Sequence, residues 1–360
     1  METIADITAR MSAVLKKLPD QKTWAAVSHT TTLSKVPTFE EHDRRALTTA
    51  VLQGLSMAAL IEFATIPPYL TALWSIIDQK SDVARSIRGI VHEEMGHFAI
   101  VSNILVALGG APKLTGSYAP SYPCRLPGGV HPELLISLSS LSDESLDAFI
   151  ELERPDVVVP IDGEVAMPAP EGDKTLGEFY EMLRASVLAL RPEFNTERQI
   201  AGPLVPSVVA NLDDFGKAID LIRRQGEGAT GEPFDSDPND LAHFYRFKAI
   251  KLGYQLTWDA ESKLLRKGAA LAMPSVVPAA LPPGGRYGPA TPREVRDLAS
   301  EFNRHYSSLL DALEAAWSGG GHDRLLFAIE KMFALEAIAR DLLRHARPDG
   351  RGYVPDFRYN

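Results

Sequence analysis

The stretch DVARSIRGIVHEEMGHFAIVSNILVAL, residues 82–108, decides how this chain folds. Inside it, VHEEMGHF (Val91 to Phe98) brings together His92, Glu93, Glu94 and His97. A zinc-protease motif, a metal site of another kind and a charged helix face all compete to explain it. The protease motif needs two histidines four apart with a glutamate after the first, so that both imidazoles share one helix face. His92 and His97 are five apart, roughly 140° around a helix, and the protease reading fails. Val83, Ile87, Ile90, Glu94, His97, Val101, Ile104 and Leu108 instead follow one another at steps of four and three. That spacing is the buried stripe of a bundle helix, with Glu94 and His97 at its middle and His92 and Glu93 off it. A carboxylate in an apolar seam costs several kcal/mol unless it is paired, protonated or bound to a metal.

Upstream, the same anomaly recurs. Val51, Leu55, Ala58, Glu62, Ile66, Tyr69, Leu73 and Ile76 form a second stripe with a lone acid near its centre. Two such acids on consecutive helices suggest one shared site. The known arrangement of Glu from one helix and Glu-x-x-His from the next is a carboxylate-bridged di-iron or di-manganese centre in a four-helix bundle, and carboxylate plus imidazole suits hard to borderline metals. That scheme requires a further Glu from a third helix and an acid with a His from a fourth. TLGEFYEML offers Glu178 and Glu181, although Glu178 can equally close a capping box with Thr175. Around the fourth helix, Glu227 in QGEGA and Asp240 compete as the acid, with His243 as the imidazole. Glu227 with His243 is the favoured pair, and Asp240 is held as a direct or supporting ligand. Tyr69, Tyr180 and Tyr245 are expected in the core, where they can line the site.

Further outward, helical periodicity predicts a bundle helix from about Thr38, the N-cap of a TFEE capping box, to Ile77, kinked or broken at Pro67-Pro68. The second helix covers about 82–108. A Pro/Gly-rich covering segment with one short helix, about 142–152, follows, too long for a plain connection. Further helices are expected from Thr175, at 213–225 and at 240–254, then a second Pro/Gly-rich stretch from 274 to 291. A helical hairpin, 293–317 and 322–345, closes the chain, its first helix capped by Thr291 with Pro292 at the first turn. Strand signals are confined to scraps such as DVVVPI, so the class is all-α. The expected division is an N-terminal extension (1–37), a metal-binding bundle (38–255, with 110–174 as the covering insertion) and a C-terminal Pro/Gly segment and hairpin (256–360).

Composition bounds what such a bundle can do. Of 360 residues, 45% are apolar and 23% charged, the balance of a chain that buries a core. The net charge of -10 carries no basic block, which argues against nucleic acid and anionic membrane as partners and favours metal ions or a small molecule. Cys124 is the only cysteine, which excludes cysteine-based zinc or iron–sulfur sites. Without an uninterrupted apolar run of about 20 residues or a signal-peptide pattern, the expected location is cytoplasmic.

IEFATIPPYLTALWSI, RGIVHEEMGHF, TLGEFYEML, QGEGA and LAHFYRF together resemble the ferritin-like domain of the iminophenyl-pyruvate dimer synthases, enzymes of violacein- and rebeccamycin-type pigment biosynthesis. FNRHYSSLLDAL and IEKMFALEAIARDLL are similar to the helical tail of that domain. The resemblance spans most of residues 45–345. The violacein-type enzyme is much longer, and this chain corresponds to its ferritin-like part. The resemblance implies a ferritin-like four-helix bundle with metal ligands at Glu62, Glu94, His97, Glu178, Glu227 and His243. The expected cofactor is iron, two ions per chain, with manganese or zinc as alternatives. The expected activity is dioxygen-dependent oxidation of a small organic, amino-acid-derived substrate in secondary metabolism. Iron oxidation or storage without an organic substrate is the alternative, and a bundle with purely structural ligands a third reading. Assembly into a homo-oligomer is left open.

Overall fold

The computed structural model describes residues 3–17, 39–164, 176–202, 208–228, 231–234, 237 and 239–360. Helix α1 (Ile4–Leu15) opens with a Thr3 capping box. It sets Ile7, Met11 and Val14 into the core against α2 (Glu41–Ser75) and α5 (Leu176–Leu190). Part of the N-terminal extension is therefore a core element. Gly54 lets these helices approach, since a Cβ there would lie 2.7 Å from Leu183 Cδ2.

Helix α2 is long and apolar enough to cross a membrane, yet 78% of its most apolar stretch is buried within the fold, as in a core helix. Its N-cap is Glu40, without a side-chain hydrogen bond; the expected cap, Thr38, lies outside the described residues. Of the kink or break expected at Pro67-Pro68, the break does not occur: one helix runs through both prolines. Pro68 cannot donate to the Ala64 carbonyl, but the Tyr122 hydroxyl does so at 2.6 Å. The covering segment thus restores one bond that the prolines remove.

Helix α3 (Asp82–Ala107) starts at Ser81, whose hydroxyl accepts from Ala84 N. It ends where Gly109 takes φ 91°, a left-handed conformation that glycine adopts without strain, and packs along the length of α2. Helix α4 (Asp143–Leu152) forms within the covering segment behind a Ser142 capping box. Helices α6 (Leu212–Glu227, N-cap Asn211) and α7 (His243–Leu252) supply the fourth side of the bundle in two pieces. The second piece begins at His243, three residues later than its pattern suggested.

One element runs against the sequence reading. Beyond α7 the chain forms an antiparallel hairpin, β1 (Tyr254–Asp259) with β2 (Leu264–Ala270), in which Trp258 faces Leu265. Both strands are largely exposed, so neither carries the apolar alternation that marks a strand. The chain closes with α8 (Arg293–Ala315), a π-turn at Ala316–Gly320 and α9 (Gly321–Arg344). The N-cap of α8 is Pro292, not Thr291. The hairpin α8–α9 packs on α2 through α9.

Candidate metal centre

Two triads of buried ligand groups lie between the helices: Glu62, Glu94 and His97, and Glu94, Glu153 and His243, with ligand atoms in each within 4.8 Å of one another. Glu94 belongs to both. Glu62 projects from the middle of α2, Glu94 and His97 from one face of α3, and His243 from the first turn of α7. These four are brought together at the positions their stripes indicated, none more than 4% exposed.

Glu153 was not anticipated. It caps the C-terminus of α4 and is 8% exposed. Leu146, Phe149, Ile150 and Glu153 are spaced three, one and three apart, so a short apolar stripe ends in an acid, the signature that marked Glu62 and Glu94. Its setting in a Pro/Gly-rich segment obscured it.

Glu178, expected as a ligand from the third helix, is not among the residues of the two triads. It is exposed on α5, because the buried positions Phe179, Tyr180 and Leu183 turn it outward. Tyr180, two residues on and roughly 200° around the helix, points inward instead, and its hydroxyl donates to Glu62 Oε1. Glu181 is held by Arg223, and Asp240 is exposed and in neither triad. Glu227 is the last residue of α6, and its side chain lies outside the described residues. Its neighbours reach the centre: Gln225 Oε1 is 2.9 Å from His97 Nε2, and a Cβ on Gly226 would stand 3.8 Å from Glu153 Oε2.

The hydrogen bonds fix which imidazole nitrogen faces inward. His97 Nε2 donates to Gln225, which leaves Nδ1 3.4 Å from Glu62 Oε2 and 3.5 Å from Glu94 Oε1. His243 Nε2 donates to Glu93 Oε2 at 2.8 Å, and Arg246 clamps the same oxygen at 2.7 Å. Such outer partners set the tautomer and orientation of a ligating imidazole. His243 Nδ1 lies 2.8 Å from Glu94 Oε1 and 3.5 Å from Glu153 Oε2, yet makes no well-aligned hydrogen bond. The two rings are 5.5 Å apart and inclined by 24°. Thr65 donates to Glu94 Oε2 at 2.8 Å and Tyr69 to Glu153 Oε1 at 2.5 Å. Tyr245 instead accepts from Val159 N in the covering segment.

Charge gives the same picture. Three buried carboxylates, Glu62, Glu94 and Glu153, share the centre, and among the described residues no Lys or Arg pairs with any of them. Burial and the charge of Glu94 raise the Glu62 carboxyl. Burial opposes protonation of His97, but Glu62 and Glu94 outweigh it and push the imidazole up to about 10. Burial likewise raises Glu93, but His243 and Arg246 prevail and hold it at about 2. Without a metal, protons supply the positive charge that the carboxylates demand. An imidazole nitrogen without a well-aligned hydrogen bond, three acids with no Lys or Arg partner among the described residues and an oxygen-rich donor set fit hard to borderline cations. Beside the carboxylates lies a cavity of about 30 Å³, with Leu152, Ile222 and Arg223 in its wall.

A sequence profile described as ferritin-like matches residues 55–252, more than half of the chain, and the chain belongs to that family. Dichlorochromopyrrolate synthase of Lentzea aerocolonigenes is 26% identical over 197 residues, covering 47% of this chain. The match spans only 18% of that relative's length. This kinship agrees with the resemblance read from IEFATIPPYL and HEEMGHF. The crystal structure of a ferritin-like protein from Caulobacter vibrioides shares the fold, with a TM-score of 0.60 at 24% identity over 86% of this chain and 97% of the other.

Proposed function

We propose that this chain is a di-iron oxidoreductase that uses dioxygen to oxidise a small organic, amino-acid-derived substrate. The observation that carries the reading is the pair of buried triads joined at Glu94, whose three acids have no Lys or Arg partner among the described residues. Glu62 and His97 would hold one ion, Glu153 and His243 the other, and Glu94 would bridge them. Glu227, beside Gln225 and Gly226, is proposed as a further ligand. A bound pair of ferrous ions would supply the electrons that dioxygen accepts. The chain's own residues orient the donors: Gln225 and Glu93 fix the two imidazoles, while Thr65, Tyr69 and Tyr180 hold the carboxylates. The biosynthetic relative supports an organic substrate.

A second reading, ferrous-ion oxidation without an organic substrate, is favoured by the smallness of the cavity, about 30 Å³, room for little more than one water. Stopped-flow measurement of the iron-loaded protein with amino acids and their imino and keto derivatives separates the two. The oxidoreductase reading expects dioxygen uptake tied to loss of one of these compounds, with iron held near two per chain. Uptake that depends only on added ferrous ion, with hundreds of irons mineralised per assembly, supports the alternative.

A further inference from the structure

We propose that the space between α2–α3 and the C-terminal hairpin is a second binding site, independent of the metal centre, which takes an uncharged molecule bearing one aromatic ring. Phe63, Ile66 and Pro67 on α2 and Met95, Phe98 and Ala99 on α3 form one wall. Taken together they are centred roughly 90° around each helix from Glu62 and Glu94, so the helix pair separates the two sites.

The cavity holds about 160 Å³, and none of its accessible lining is polar. Water has no partner there, and an apolar cavity of about 150 Å³ is known to stay dry and to admit benzene. A charged or polyhydroxylated guest would lose its hydration without recompense. Unfilled, such a space forfeits dispersion contacts along its whole lining.

The walls favour an aromatic guest over an aliphatic one. Phe63 meets Phe98 edge-on at 5.7 Å, and Phe98 meets Trp317 edge-on at 5.6 Å. Tyr306 and Phe357 add two further rings, and Met95 and Met332 add thioethers, which attract ring edges. Ile329 lines the cavity, and Leu326 and Phe333, three residues before it and four after, are 64% and 71% exposed. Exposed apolar side chains thus flank the lining residue on α9.

Toluene titrated into the full-length, metal-loaded protein tests this by calorimetry and thermal denaturation. Saturable binding with a rise in melting temperature is expected, with cyclohexane about tenfold weaker. Ala99→Leu and Ala328→Leu each grow a side chain into the cavity. Each should abolish the toluene signal while leaving metal content unchanged, and if one fails to fold the other still decides. Glu94→Ala should keep toluene binding although it loses metal, so failure here and failure of the metal assignment are distinguishable. Absence of saturable toluene binding, equal binding of cyclohexane, or undiminished binding in a folded filling variant would overturn the proposal. So would a dimer that closes over α9 and leaves the protein insensitive to toluene.

Discussion

Glu94 is the residue on which the centre turns, because it is the one acid common to both triads. Glu94→Ala should therefore reduce bound iron from about two per chain to near zero, and Glu153→Ala to about one, as read by elemental analysis. Equal losses in both variants would refute the division into two half-sites. Glu93 carries a separate, pH-dependent role. Its carboxyl falls from 4.5 in the unfolded chain to about 2 in the fold, so its contribution to stability is complete above about 4.5 and disappears as pH drops toward 2. Metal-free Glu93→Gln should be less stable than the parent by a few kcal/mol at neutral pH, with the gap closing across that acid window in thermal melts. At this scale the sequence was most legible where a lone acid interrupts a long apolar stripe, as at Glu62 and Glu94. It left Glu178 open between a ligand and a cap, and the residue is exposed near its helix start, while it hid Glu153, whose stripe is only two turns long.

Among the elements, α2 shows how a neighbour can override a local rule. Pro67 and Pro68 remove two backbone donors, and the helix persists with Tyr122 bonded to the Ala64 carbonyl. Tyr122→Phe should leave that buried acceptor unsatisfied and cost about 1–3 kcal/mol, measured by urea denaturation, with metal content unaltered. A cost below about 0.5 kcal/mol would show that the prolines are accommodated by other means. Such a tertiary bond cannot be read from Pro-Pro in isolation. The β1–β2 hairpin escaped for a related reason: exposed on most of its residues, it lacks the alternation that periodicity detects. The long helices α3, α8 and α9 were legible almost to their ends, because their apolar stripes repeat over many turns.

For the whole molecule, the fold converts apolar burial into a place where charge is tolerated only if matched. The carboxylates come from α2, α3 and the end of α4, so the ions would tie the covering segment to the bundle. Removing metal with a chelator at neutral pH should lower the melting temperature and raise exchange of amides in α4 and α7 first, followed by hydrogen-exchange mass spectrometry. Uniform exchange in both states would show that the metals do not brace the segment. A two-iron centre bridged by Glu94 would show itself in anomalous diffraction at the iron edge from crystals of iron-loaded protein. Two peaks about 3.5–4 Å apart are expected, one against Glu62 and His97, the other against Glu153 and His243, with Glu94 between them. A single peak, or density showing the acids protonated and bonded to one another around no ion, would contradict it.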